Sequence, residues 1–166
     1  TIASVTTAAS GTYSVNVTVG GCVGPNGTTA VTINPIPAAP TPGSNTPVCE
    51  GNTLSLTSNT IGGATYNWSG PNSFTSTAED PTIASVTTAA SGTYSVNVTV
   101  AGCAGPSGTT SVTINQTPSA PAAGSNSPVC AGATLSVTSN TVAGATYSWS
   151  GPNSFTSTAE DPTIAS

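Results

Sequence analysis

Few side chains in this 166-residue chain can do chemistry, and most of them come in pairs 81 residues apart. The thiols are Cys22, Cys49, Cys103 and Cys130; Cys22 recurs as Cys103 and Cys49 as Cys130. Two thiols per period, in a chain without His, point to disulfides formed in an oxidising compartment. A structural zinc site takes about four Cys or His ligands, and two thiols per period fall short of that. The carboxylates are Glu50, Glu79, Asp80, Glu160 and Asp161. The pairs Glu79-Asp80 and Glu160-Asp161, each followed by Pro, are the candidate metal ligands, for calcium between domains. Calcium takes roughly six to eight oxygens, more than two adjacent carboxylates supply. The expected role of each pair is therefore a turn before Pro, capped by the Asp. A glycosidase reading fails because neighbours on a strand point to opposite faces. No cofactor is expected, calcium at the acid pairs being the one alternative.

Composition excludes more. The chain has no Lys, Arg or His, five acids and a net charge of -5, and only 3% of its residues are charged. It offers no cationic footprint for nucleic acid, no basic face for an anionic membrane and no clamp for phosphate. Without His there is no ordinary general base near neutral pH and no Ser-His-Asp triad. An enzyme is not expected. Nor does any stretch of about 20 apolar residues suggest membrane insertion.

Hydroxyl replaces charge: Thr and Ser together number 56. Asn16, Asn26, Asn67, Asn97 and Asn115 head N-x-Ser/Thr sequons, which chance supplies in so Thr-rich a chain. The outward Thr and Ser rows could bind ice or carry sugars, but a neutral, hydroxylated strand surface is the expected reading. Trp68 and Trp149 could stack on a sugar, yet their inward register assigns them, with Tyr13 and Tyr94, to the core.

These residues sit on a repeat. Residues 1–85 aligned on 82–166 are identical at 69 of 85 positions, so repetition governs the architecture. Pro-rich stretches mark the joints, and Pro makes them stiff and extended. The expected organisation is the back part of a repeat at 1–34, a linker at 35–42, a complete repeat at 43–116, a linker at 117–123 and the front part of a third repeat at 124–166. The chain reads as a window on a longer, nearly uniform array.

Within the complete repeat the hydrophobic period is two, the signature of half-buried strands. Residues 93–100 put Tyr94, Val96, Val98 and Val100 on one face. Leu54 and Leu56, Tyr66 and Trp68, and Val112 and Ile114 alternate likewise. Gly, Asn and Pro clusters separate these runs, and no segment carries a helical period. The fold class is all-β, a two-sheet sandwich.

The run Ala90-Ser91-Gly92-Thr93-Tyr94-Ser95-Val96 resembles the start of strand F in immunoglobulin-like domains, where a Tyr closes a corner through its hydroxyl, and Trp68 falls where a strand-C Trp packs between sheets. Val96 stands where antibody domains carry a core Cys. The sequence stretches Val48-Cys49-Glu50-Gly51, Trp68-Ser69-Gly70-Pro71-Asn72-Ser73-Phe74, Ser91-Gly92-Thr93-Tyr94 and Gly102-Cys103 resemble the immunoglobulin-like or PKD-like tandem repeats of very large secreted surface proteins of Bacteroidota. The resemblance covers essentially all of each repeat. It implies tandem immunoglobulin-like domains and a role in adhesins or surface filaments.

The resemblance also implies pairing of Cys49 with Cys103, closing a loop worth roughly 4 kcal/mol. Immunoglobulin topology argues the other way, since Cys49 precedes strand B, Cys103 follows strand F, and the two strands run in the same direction. The second alternative is a bridge between neighbouring domains. Either way Cys22 and Cys130 find partners outside residues 1–166.

The expected function is a structural segment of an extracellular or cell-surface stalk or filament. Its expected partners are neighbouring repeats of the same chain, and other copies in a fibre. The alternatives are a repeat that itself binds a glycan or ice, and an accessory domain of a secreted enzyme.

Overall fold

The computed structural model describes residues 2 and 4–165, and the chain divides into two compact units, Thr1–Thr117 and Pro118–Ser166. The first unit opens with β1 (Gly11–Val15), β2 (Thr18–Val19), β3 (Cys22–Val23) and β4 (Gly27–Val31). It continues with β5 (Gly43–Ser44), β6 (Val48–Cys49), β7 (Leu54–Thr57), β8 (Ala64–Gly70), β9 (Phe74–Ser76), β10 (Thr82–Ile83), β11 (Gly92–Val100), β12 (Cys103–Ala104), β13 (Gly108–Val112) and β14 (Ile114–Asn115). The second unit holds β15 (Ala123–Ser125), β16 (Leu135–Ser139), β17 (Trp149–Ser150), β18 (Thr156–Ser157) and β19 (Thr163–Ile164).

The complete repeat is an immunoglobulin-like sandwich. One sheet runs β10-β7-β5; in the other, β8 lies between β9 and β11, while β12 and β13 share the far edge of β11. All these pairs are antiparallel. After β5 the chain leaves the first sheet, and β6 pairs in parallel with β14 at Ile114↔Val48. The Thr46–Pro47 peptide between β5 and β6 is cis.

Period-two alternation decides what lies between the sheets, because successive strand side chains point to opposite faces. Leu54, Leu56, Tyr66, Trp68, Tyr94, Val96 and Val98 form the buried core with Val48, Val86, Ala90, Val112 and Ile114. Trp68, Tyr94, Val96 and Val98 are all 0% exposed. Val96 stands directly opposite Trp68 across β11 and β8, so an aliphatic-aromatic contact occupies the place where antibody domains carry half a disulfide.

The run expected as one strand at 110–114 is broken at Thr113. There the backbone N–H donates to Thr46 Oγ1 at 2.8 Å, a side-chain acceptor that ends one pairing and lets β14 begin another. The linker at 35–42 is also more than a tether. Pro40 is buried, and Thr41 donates through its backbone N–H (2.7 Å) and its hydroxyl (3.0 Å) to Asn59 Oδ1.

Candidate functional site

The site residues divide into a core cluster, the acid pairs, the cysteines and the joint.

Tyr94 anchors the core cluster. Its hydroxyl donates to the Ala90 carbonyl at 3.0 Å, closing the corner ahead of β11. Its ring meets Phe74 edge-on, with centroids 5.6 Å apart at 65°. Gly70 passes directly over that ring, and a Cβ there would overlap it. Trp68 Nε1 donates to the Glu79 carbonyl at 3.2 Å, so the indole is apolar against the core and satisfied at its one polar atom. Neither aromatic is available to stack on a ligand.

Burial pushes the Tyr94 hydroxyl above its ordinary value, because desolvation penalises the phenolate. The sign follows from proton binding. Above about pH 10 an unfolded tyrosine loses its proton while the folded one keeps it, so the native state binds more protons and stability falls as pH rises. Below that range the contribution is fully present. Chemical denaturation of the chain at pH 8 and pH 11 is expected to show lower stability at the higher pH, and Tyr94→Phe is expected to flatten the difference.

The acid pairs hold turns. Asp80 Oδ1 accepts the Ser58 backbone N–H at 2.8 Å, and Glu79 Oε1 accepts the Thr60 hydroxyl. Asp161 accepts the Ser139 N–H at 2.9 Å, and Glu160 accepts the Thr141 hydroxyl, so the second pair repeats the first. Among the described residues no cluster of three or more His, Cys, Asp or Glu is poised for a metal. Asp80→Ala orphans the Ser58 N–H and is expected to cost about 1 kcal/mol, while Asp80→Asn, which keeps an oxygen there, costs less. Thermal unfolding with and without a divalent-cation chelator is expected to give one and the same midpoint.

The structure does not bring Cys49 and Cys103 together. Cys103 pairs with Val100 at one end of β11. Cys49 pairs with Asn115, beyond the Val112 that sits opposite Gly92 at the other end. Nine residues of strand, roughly 30 Å, separate these ends, whereas disulfide Cα atoms lie within about 7 Å of each other. All four thiols are free. Cys103 Sγ points to the joint, 3.7 Å from the Asn34 carbonyl oxygen.

The joint between residues 1–34 and the complete repeat is the feature that sequence reasoning undervalued. Asn34 Nδ2 donates to the Ala101 carbonyl at 3.0 Å. The linker then runs along the β12–β13 edge so closely that a Cβ on Gly105 would lie 2.8 Å from the Pro37 oxygen, and one on Gly108 would overlap the Pro40 carbonyl. Gly105 and Gly108 were the available signal: both lie on the strand edge beside a Pro-rich stretch, where only a bare backbone admits another chain segment.

Two of the four expected core aromatics are placed differently. Tyr13 is 42% exposed and Trp149 is half-buried. The reason is the same for both: each belongs to a half-repeat whose opposing strand lies outside its own segment.

Among the described residues no helix is long and apolar enough to cross a membrane. No family model and no curated protein matches the chain. Among solved structures it is similar to murine CEACAM1b, with TM-score 0.43 and 16% identity over 76% of this chain and 84% of that one. A complex of a mouse coronavirus receptor-binding domain with its murine receptor gives TM-score 0.41 and 16% identity over 63% of this chain and 69% of that one. Immunoglobulin domains 1–5 of Sidekick-1 give TM-score 0.35 and 14% identity over 68% of this chain and 26% of that one.

Proposed function

We propose that the chain is a rigid, repetitive spacer segment of an extracellular stalk or filament, of the kind found in giant surface adhesins, with no catalytic chemistry of its own. One observation carries this reading: the inter-repeat joint is packed, not free. Pro40 is buried, Asn34 is tied to Ala101, and Thr41 is tied to Asn59. A Pro-rich segment held along its length against the next sandwich transmits orientation from one repeat to the next. Near-identity of the repeats supports the same conclusion, since a spacer needs length and uniformity more than distinct sites. The absence of Lys and Arg leaves no trypsin-type cleavage site, which suits a surface position exposed to proteases. Thiols at the ends of each repeat are placed for bridges across joints, which would resist extension.

The second reading, a ligand-binding repeat, rests on the outer face of the larger sheet. There Ser69 and Ser95 share a hydrogen bond at 2.8 Å, and Asn67 stands opposite Asn97. That face has no exposed aromatic to grip a sugar. Incubation of the chain with a glycan array and with growing ice is expected to give no binding. Saturable binding to either, abolished by substituting Asn67 and Asn97, would replace the spacer reading with a recognition one.

A further inference from the structure

Residues 1–34 and 118–166 are opposite halves of one sandwich, each already shaped for the other. In the first half, β1 and β4 pair from Gly11↔Val31 to Val15↔Gly27, the register of β11 and β13 shifted by 81. Tyr13 closes the same corner, donating to the Ala9 carbonyl at 2.9 Å, and Ser10 holds Ile33 as Ser91 holds Ile114. Yet its inward row is bare: Tyr13, Val15 and Val17 are 42%, 68% and 66% exposed, where Tyr94, Val96 and Val98 are 0%.

The other half is equally prepared. Trp149 Nε1 donates to the Glu160 carbonyl at 3.2 Å, and Tyr147 donates to the Asn140 carbonyl at 3.2 Å, as Trp68 and Tyr66 do. However, β17 pairs over two residues where β8 runs for seven. A cleft of about 270 Å³ opens between Pro118 and Pro121 on one side and Ala145, Tyr147 and Trp149 on the other. In the complete repeat the β11–β13 hairpin fills the matching space, with Gly105 against Pro37 and Gly108 against Pro40.

We propose that residues 1–34 of one copy dock into this cleft on residues 118–166 of a second copy, completing a sandwich and joining chains head to tail. Gly24 and Gly27 then lie against Pro118 and Pro121. The inference goes beyond the spacer reading, which needs only one chain. A stretch like 43–85 placed ahead of residue 1 in the same polypeptide would compete for this surface; for the 166-residue chain the occupant is the second copy.

The docked pair has a covalent signature. Cys49 stands opposite Asn115, and the next N–H, of Glu50, donates to the Asn115 carbonyl at 2.8 Å. By the same register, Cys130 of the second copy stands opposite Asn34, whose carbonyl oxygen already lies 3.7 Å from Cys103 Sγ. Cys103 and Cys130 thus flank one residue. With oxidised glutathione as the disulfide donor, two thiols become one inter-chain disulfide, and two electrons and two protons pass to glutathione, released as two thiols.

Sedimentation of the reduced 166-residue chain over a concentration series is expected to show linear oligomers that grow with concentration. After treatment with oxidised glutathione, peptide mapping is expected to find Cys103 joined to Cys130. Gly27→Ala is the decisive variant. Its Cβ meets only Val15, at 3.9 Å, in the free hairpin, but meets the Pro121 carbonyl once docked. It leaves the complete repeat untouched and is expected to weaken association roughly tenfold or more. A monomer at every concentration overturns the proposal, as do oligomers that ignore Gly27→Ala or bridge other cysteines. Neither result touches the spacer reading, which stands or falls on the stiffness of the joint.

Discussion

Trp68→Ala is expected to destabilise the complete repeat by about 3–5 kcal/mol, while Trp149→Ala costs less than about 1.5 kcal/mol. The two tryptophans occupy equivalent positions in near-identical sequence, so the difference isolates the packing. Trp68 is 0% exposed and faces Val96 across β11 and β8. Truncation there leaves a large cavity between two sheets already filled by Leu54, Leu56, Tyr94 and Val98, and it strips the Glu79 carbonyl of its donor. Trp149 makes the same hydrogen bond to Glu160, but no second sheet closes over it. Amide hydrogen exchange is the appropriate reading, since it follows each element by itself. Protection of β8 and β11 is expected to fall sharply in Trp68→Ala and to stay unchanged in Trp149→Ala. Equal losses in the two variants would contradict the placement of the core.

Gly108→Ala is expected to lift the linker off the complete repeat at a cost of about 1–3 kcal/mol. The obstacle is a backbone carbonyl, that of Pro40, and Pro42 stands 2.7 Å away on the same side. Pro restricts the φ of the linker, so the segment cannot bend locally to make room. It must shift as a piece, carrying Thr41 away from Asn59 and loosening the pairing of Gly43 with Thr57. Faster exchange at residues 41–44, together with unchanged exchange at β8, would identify the loss with the joint. A variant as stable and as protected as the parent chain would show that the linker does not bear on the β13 edge.

The parts of the fold that were legible in the sequence are those where local pattern and tertiary packing agree. Alternation at Tyr66 and Trp68, and at Tyr94, Val96 and Val98, named the inner faces of β8 and β11, because a strand with one buried face has no other way to arrange its side chains. The Tyr94 corner was legible for a related reason: its acceptor, Ala90, lies only four residues back. The division of the last strand at Thr113 was not legible, since its cause is the hydroxyl of Thr46, 67 residues away. The short strands β9, β10 and β12 escaped for want of enough residues to show a period. The acid pairs were legible as turns, although the residues they hold, Ser58 and Thr60, are fixed by the fold and not by spacing. The joint was half legible. Pro announced stiffness, but the contacts with Gly105 and Gly108 that make it rigid join segments about 70 residues apart. Topology separated Cys49 from Cys103, and only the structure showed Cys103 turned toward Asn34.

The central claim is that packed joints make the array a rod. Chains of two, four and eight repeats, observed by electron microscopy with mass checked by light scattering, test it most directly. The account predicts single particles whose end-to-end length grows in proportion to repeat number. Lengths that grow as about the square root of repeat number, the behaviour of domains on free linkers, would contradict it.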